Sequence, residues 1–161
     1  MRVASEVRRH VPAGAQVLHV GFILRAGGRW NRRGRRGALY AALKREGALA
    51  DCHKYFGQRG MANRPHNPRD LVSVEVDLDP VIDLTDPNNG IVDPSATFLT
   101  GDTPEDYEKC HALADDLRSA GYVALIVPSA AAPGEKNLVI YIDGPAAQIA
   151  LDEGGDRIPI K

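Results

Sequence analysis

A stretch near the start of the chain concentrates arginine and glycine in a pattern that suits an anionic ligand. Six arginines fall within twelve positions, and four glycines interrupt them. These residues are Arg25, Arg29, Arg32, Arg33, Arg35 and Arg36, with Gly27, Gly28, Gly34 and Gly37. Glycine lets backbone N–H groups approach a ligand closely, and the guanidinium fork matches phosphate oxygens. This arginine loop, residues 23–37, therefore predicts a site for a pyrophosphate-bearing ligand; a solvated surface loop is the alternative.

Three different functional groups are evenly spaced along this region, because eleven residues separate Arg29 from Tyr40 and Tyr40 from Asp51. The arginine can bind phosphate, and the tyrosine ring can stack on an aromatic ligand. The aspartate can hydrogen-bond a ribose hydroxyl and stabilise positive charge on the sugar, as glycoside cleavage requires. Core packing for Tyr40 and a solvated helix position for Asp51 remain the alternatives.

Further candidates lie at the ends or in the middle of apolar segments. Ser129 ends one apolar segment and Asn137 begins the next, so both can contact a ligand, although turn positions explain them equally well. His19 lies inside an apolar segment, where it either packs in the core or donates to a ribose hydroxyl. The pairs Cys52-His53 and Cys110-His111 do not favour zinc, because adjacent helical residues point about 100° apart. We expect no metal.

The elements that must position these residues are several strands and few helices. Apolar or alternating runs predict strands at 16–22, 38–43, 71–76, 81–84, 122–127 and 138–142. A helix is predicted over 46–56 and ends at Gly57. A second helix begins after the N-cap Thr103, with Pro104 in its first turn, and Gly121 closes it. This order favours an α+β fold over a doubly wound α/β fold.

Composition limits the function classes that remain. The chain has 161 residues, which suggests a single domain over 1–161. Its net charge of −1 makes the arginine loop a local feature and argues against general nucleic-acid binding. The two cysteines do not form a disulfide framework. Without an apolar run that could span a bilayer, or a signal peptide, we expect a cytoplasmic protein with no membrane partner.

The motifs together resemble the RES domain family, the toxin halves of bacterial RES–Xre toxin–antitoxin pairs. The resemblance covers residues 16 to 143 and rests on the segments Gly27–Asn31, Gly37–Tyr40, Ala48–Asp51, Val127–Ser129 and Asn137–Ile140. It implies a split, mixed β-sheet around a cleft for NAD, similar to ADP-ribosyltransferases of the diphtheria-toxin type. The arginine, tyrosine, acid and serine of the family fall on Arg29, Tyr40, Asp51 and Ser129.

The resemblance also implies a function. The chain is expected to be a growth-inhibiting toxin that uses NAD as substrate and transfers ADP-ribose to a protein, for example an enzyme of nucleotide metabolism. Arg29, Tyr40 and Asp51 would be catalytic, and His19, Arg25, Ser129 and Asn137 would join Arg29 and Tyr40 in binding NAD. An Xre-type antitoxin is the expected partner. NAD hydrolysis or phosphorolysis is the alternative activity, and nucleic-acid binding through the arginine loop is a further one.

Two departures from the family pattern distinguish this chain. The usual glutamate is replaced by Asp51, which is shorter by one methylene group. The early arginine of the family, on its first strand, has no clear counterpart, so His19 and Arg25 are the two candidate replacements.

Overall fold

The fold is α+β. The computed structural model describes residues 1–18, 23, 25–35, 37–58, 68–142 and 149–160. The strands are β1 (Val3–Pro12), β2 (Ala38–Ala42), β3 (Arg69–Leu78), β4 (Val81–Asp83), β5 (Ala124–Pro128), β6 (Lys136–Tyr141) and β7 (Ile149–Ile160). The helices are α1 (Arg45–Gln58) and α2 (Pro104–Ser119), with a short 3-10 turn at Thr97–Leu99.

In the described part of the chain, these seven strands form one mixed sheet in the order β4-β5-β6-β2-β1-β3-β7. Only β4 and β5 run parallel; the other neighbours are antiparallel. Five residue pairs join β2 to β6, and ten join β1 to β3. In contrast, β1 and β2 share the single pair Arg8–Ala42. The sheet is therefore split at its centre, as the family resemblance implied.

The split creates the space for a cleft. Continuing the antiparallel register beyond Arg8–Ala42 would place His10 opposite Tyr40. The pairing ends instead, and residues 9–12 of β1 and 40–41 of β2 line a pocket. Helix α1 packs on both β1 and β2. Its Ala48 lies in an apolar cluster with Ala42 on β2 and Leu71 on β3.

The segment 16–22 was predicted to be the first strand, which is wrong where it can be judged. Gln16 to Leu18 form coil and turn, and residues 19–22 lie outside the described residues. The true first strand, β1, was missed because charged residues at 6, 8 and 9 hide the buried Val7 and Val11. Strand β7 was missed as well, because Gly154, Gly155 and Pro159 interrupt it and its side chains over 151–160 are exposed or half-buried.

The other elements follow the sequence closely. Helix α2 begins with a capping box, in which Thr103 and Asp106 exchange side-chain to backbone hydrogen bonds. Helix α1 continues through Gln58, so Gly57 does not end it, contrary to the prediction. Strand β3 was expected to be half-buried, but it lies between β1 and β7 and both of its faces are covered over Leu71–Val74.

Trp30, the only tryptophan of the sequence, anchors the arginine loop to the core. The indole is 2% exposed and packs in a cluster with Leu99, Cys110 and Val139 under helix α2. Its backbone carbonyl accepts a hydrogen bond of 2.9 Å from the hydroxyl of the buried Tyr141 on β6. The loop is thus fixed to the sheet at one point by both apolar and polar contacts.

Replacing Tyr141 with Phe should lower the free energy of unfolding by about 1–2 kcal/mol, because the Trp30 carbonyl loses a buried donor. Denaturant unfolding measures this difference. Tyr122→Phe is the matched control, since Tyr122 is only half-buried, and should be close to neutral. Equal losses in both variants would contradict a specific role for the Tyr141 hydroxyl.

Candidate active site

The cleft consists of two adjoining pockets that share one wall. The outer pocket, of about 300 Å³, lies beside the glycines of the arginine loop and extends to residues 128–131. The inner pocket, of about 510 Å³, lies in the gap between β1 and β2. The shared wall consists of His10, Tyr40, Asp51, Tyr55 and Asn137. The cleft therefore brings together Tyr40, Asp51 and Asn137, which the sequence analysis had selected from three separate segments.

Tyr40 holds the tight turn formed by residues 28–31. Its hydroxyl donates to Asn31 Oδ1 at 2.6 Å and accepts from the backbone N–H of Trp30 at 2.9 Å. The Asn31 side chain, 3% exposed, also donates a hydrogen bond to the Ala26 carbonyl. Burial raises the pKa of Tyr40 well above its usual value, so the hydroxyl remains protonated. The ring, held by its hydroxyl, forms part of the cleft wall.

The turn also requires its glycine. Gly28 and Asn31 form an isolated β-bridge, and His111 Nε2 on α2 donates to the Gly28 carbonyl at 2.7 Å. A Cβ atom on Gly28 would lie 2.6 Å from the Tyr40 hydroxyl oxygen. Glycine is therefore required here for space, because any side chain would push Tyr40 off the turn.

Arg29 lines the outer pocket, but the protein already uses most of its donors. Its side chain is 10% exposed and lies 4.7 Å above the ring of Tyr107. The guanidinium donates to the backbone carbonyl of Gly101 and, at 2.9 Å, to Asp102 Oδ1. Arg29 thus fastens the loop before α2 to the cleft.

Asp51 and Asn137 meet across the cleft. Asn137 Nδ2 on β6 donates to Asp51 Oδ1 on α1 at 3.3 Å. Burial raises the pKa of Asp51 to about 6, while this hydrogen bond and the charge of Lys54 oppose that rise. Asn137 Oδ1 is buried and has no hydrogen-bond partner among the described residues. The pair therefore offers a bound ligand both a carboxylate and an unfilled acceptor.

The inner pocket is basic. Arg9 on β1 donates to the Val17 carbonyl at 3.2 Å, but its Nε is buried without a hydrogen-bond partner. Burial, together with the neighbouring charge of Arg69, lowers the pKa of Arg9 to about 10. Arg69 on β3 lies over the ring of Tyr55, and its Nη2 donates a hydrogen bond to His10 Nδ1 at 2.8 Å. A buried guanidinium with an unfilled donor provides a natural position for an anion.

Arg9 is a further candidate for the early arginine, beside His19 and Arg25. It lies on the first strand and lines the inner pocket, whereas Arg25 is exposed and does not line either pocket. His19 lies outside the described residues. Sequence reasoning missed Arg9 because it missed β1, and it missed His10, Lys54, Tyr55, Arg69 and Tyr107 because no motif marks them.

Ser129 supports the wall of the cleft from behind. It is 5% exposed, and its Oγ accepts hydrogen bonds from the backbone N–H groups of Ala131 and Ala132 at 3.2 and 3.1 Å. The loop that it shapes contributes Ala130 and Ala131 to the outer pocket. Ser129 itself is not among the lining residues.

The remaining arginines of the loop divide into structural and exposed ones. Arg32 forms a bidentate pair with Glu108 and a further contact with Asp115, both on α2. Arg33 and Arg35 are exposed, and Arg36 lies outside the described residues. Among the described arginines of the loop, Arg29 and Arg32 are thus held by acidic side chains, whereas Arg25, Arg33 and Arg35 are exposed.

With the geometry known, comparison with other proteins places the chain. The RES domain profile matches residues 7–158. A curated protein named "Probable NAD(+) phosphorylase" from Mycobacterium tuberculosis strain H37Rv is 34% identical over 120 residues, which is 73% of this chain and 55% of that protein. The chain belongs to the RES domain family. It spans about half the length of this curated relative.

The fold matches a solved structure over nearly its whole length. A chain in the crystal structure of the M. tuberculosis MbcT–MbcA toxin–antitoxin complex superposes with a TM-score of 0.70. The match covers 99% of this chain and 86% of the other, at 18% sequence identity, and it confirms the α+β fold. None of the described helices is both long enough and apolar enough to cross a membrane.

The raised pKa of Asp51 predicts that this residue destabilises the fold near neutral pH. Because the folded-state pKa lies above the unfolded one, folding favours the neutral acid, and stability falls as pH rises from about 4 to 6. Asp51→Asn should therefore increase the free energy of unfolding by on the order of 2 kcal/mol at pH 8 and by little at pH 4. Denaturant unfolding at both pH values tests this.

The exposed Asp116 on α2 provides the matched control, and Asp116→Asn should change stability little at either pH. A loss of stability in Asp51→Asn at pH 8 would show that the carboxylate stabilises the fold and would contradict the pKa assignment.

Proposed function

We propose that this protein is a toxin that consumes NAD by breaking the bond between nicotinamide and its ribose. The observation that carries the proposal is the Asp51 carboxylate, held by Asn137 inside a cleft that has a tyrosine wall and basic ends. The similarity to a protein named as a probable NAD(+) phosphorylase supports the choice of substrate.

The residues of the cleft divide into binding and chemical roles. Arg9 and Arg69 in the inner pocket and Arg29 in the outer pocket provide guanidinium groups for the diphosphate of NAD. Tyr40 offers its ring for stacking, since its hydroxyl is fully used by Asn31 and Trp30. Asp51 faces the ribose, and the unfilled Asn137 Oδ1 accepts a ribose hydroxyl.

The chemistry requires Asp51 in its ionised form. As the C–N bond breaks, nicotinamide leaves as a neutral molecule with the bonding electron pair, and the ribose gains oxocarbenium character. A carboxylate beside this positive charge stabilises the transition state, as in glycoside cleavage. Because the pKa of Asp51 is about 6, NAD consumption should rise between pH 5 and 7 as the carboxylate ionises.

Phosphate is the acceptor that the comparisons favour. An oxygen of hydrogen phosphate would form the new bond to the ribose carbon, giving ADP-ribose phosphate and nicotinamide. Water would give free ADP-ribose, and a side chain of a target protein would give ADP-ribosylation. The resemblance led us to expect protein transfer, and it remains the second candidate because the outer pocket opens beside the loop at residues 128–131.

Nucleic-acid binding through the arginine loop has less support. Arg29 and Arg32 are paired with acidic side chains, so they do not offer a continuous basic surface. Base stacking also favours several exposed aromatic rings, and Trp30 in the loop is buried.

One assay separates the acceptors. The purified protein is incubated with NAD labelled in its adenylate part, with and without phosphate, and then with cell lysate. ADP-ribose phosphate formed only with phosphate indicates phosphorolysis, free ADP-ribose indicates hydrolysis, and a labelled protein band indicates transfer. The absence of all three products with folded protein would refute the proposed function.

Asp51→Asn should lower the rate of NAD consumption about 10²–10³-fold while NAD binding is kept, because the amide is nearly isosteric but uncharged. Asp51→Glu should retain activity, since it supplies the usual carboxylate of the family. Steady-state nicotinamide release and calorimetric NAD titration measure the two effects. Asp51→Asn with wild-type turnover would exclude Asp51 and leave Glu46 or Glu75 as the acid to examine.

We also propose that an antitoxin protein, expected to be of the Xre type, neutralises this toxin by covering the cleft. An acidic segment would complement Lys54 at the outer pocket and Arg9 and Arg69 at the inner one. The solved structure with the matching fold comes from a toxin–antitoxin complex, which supports a partner of this kind.

Co-expression with an Xre-type protein encoded beside this chain should give a stable complex that does not consume NAD, because a covered cleft excludes the substrate. Gel filtration and nicotinamide release measure assembly and activity together. A stable complex that turns over NAD at the full rate would contradict neutralisation at the cleft.

A further inference from the structure

Lys54 is a charged residue of the cleft to which neither the motifs nor the comparisons assign a role. It lies one helical turn after Asp51, so the two side chains project from the same face of α1. Its Nζ donates to Asp102 Oδ1 at 3.1 Å and to the Ala130 carbonyl at 3.0 Å. Lys54 therefore joins α1 to two loops on the opposite side of the outer pocket.

These contacts fix the lysine in place. Asp102 also binds Arg29 at 2.9 Å, and both cations line the outer pocket. Burial opposes the charge of Asp102, but Lys54 and Arg29 outweigh it and hold the pKa of Asp102 below its usual value. The ammonium group is consequently held by an ionised partner rather than moving freely in water.

The position of Asp51 gives this arrangement its significance. Asp51 is half-buried, and Asn137 is the only hydrogen-bond donor to its carboxylate that the described residues show. One neutral hydrogen bond does not offset the loss of hydration of a carboxylate. The charge of Lys54 acts in the direction needed, and its contacts across the cleft hold α1, which carries Asp51, against Asn137.

We propose that Lys54 is a positioning residue that keeps the Asp51 carboxylate charged and in place across the cleft. The proposal rests on the proposed function in that Asp51 must be ionised for turnover. It adds a residue that acts through Asp51 and need not touch the substrate.

Other groups face Asp51 and have to be separated from the effect of Lys54. They are Tyr55 on α1, His10 and Arg9 on β1, Tyr40 on β2, Arg69 on β3 and Arg29 in the arginine loop. Activity alone does not isolate Asp51, since the cleft also contains a histidine. The pKa of Asp51 must therefore be measured directly as well as through activity.

The first measurement uses the carboxyl carbon signal of Asp51 in NMR spectra of the unliganded protein, assigned by its absence in Asp51→Asn. In Lys54→Met the titration midpoint should move upward by about one pH unit, because an opposite charge nearby lowers a carboxylate pKa by about this amount. Lys54→Arg should restore the wild-type midpoint. This readout does not depend on whether the protein consumes NAD, so it distinguishes a failure of this proposal from a failure of the proposed function.

The second measurement is NAD consumption against pH. Lys54→Met should lower turnover about threefold at pH 6.5, where part of Asp51 becomes protonated, and little at pH 8.5, where it remains ionised. A loss of equal size at every pH would indicate a merely structural contact and would overturn the proposal. An unchanged Asp51 midpoint in Lys54→Met would overturn it as well.

Two further variants complete the design. Lys54→Gln keeps a hydrogen-bond donor for Asp102 or Ala130 without the charge, and it should reproduce the midpoint of Lys54→Met even if the latter folds poorly. Lys109→Met removes an exposed lysine on α2 that pairs with Glu105 and does not line the cleft. It should leave both the midpoint and the pH profile unchanged.

Discussion

The cleft depends on one phenolic hydroxyl, that of Tyr40. Its two hydrogen bonds, to Asn31 and to the backbone of Trp30, fix the turn at residues 28–31 against β2. This turn places Arg29 beside the loop that precedes α2. Trp30 packs in the core, and its backbone carbonyl accepts a hydrogen bond from the Tyr141 hydroxyl. The arginine loop, the sheet and α2 thus share one point of attachment. Loss of that point would alter both pockets, although Tyr40 carries no charge.

The polar groups of the cleft are arranged at a cost to stability. Asp51 is half-buried with a raised pKa, Arg9 has an unfilled donor, and Asn137 has an unfilled acceptor. Each would be better solvated in the unfolded chain. Their convergence in a single cleft is typical of a binding site, because a ligand with phosphate and hydroxyl groups would satisfy what the protein leaves unsatisfied. The apolar clusters on the two faces of the sheet supply the stability that permits this arrangement.

Sequence reasoning selected three residues that the structure brings into one cleft. It failed for elements that are defined by strand pairing. Tyr40, Asp51 and Asn137 were chosen by residue type and spacing, and they meet in the cleft. The helix that begins after Thr103 could be predicted because the residues of its capping box lie close together in the sequence. Strands β1 and β7 could not, because few of their side chains are buried and their pairing with β3 is not visible in their own sequences. Arg9 and His10 were lost with β1, and Arg69 lies just before the predicted strand 71–76. The hydrogen-bond partners of Arg29 lie more than seventy residues later in the chain, so the sequence did not predict that they hold it in place.

The single residue pair between β1 and β2 has a mechanical consequence. Elsewhere in the sheet, neighbouring strands share a ladder of hydrogen bonds, but at this joint the two halves are held by Arg8–Ala42 and by α1 above it. A ligand in the cleft would contact residues of both halves of the sheet and so hold them together at the junction of β1 and β2, where a single residue pair joins the strands. The rigidity of this junction would then depend on whether the cleft is occupied. Slower amide hydrogen exchange in β1 and β2 would report a filled cleft, even without any change in the position of the strands.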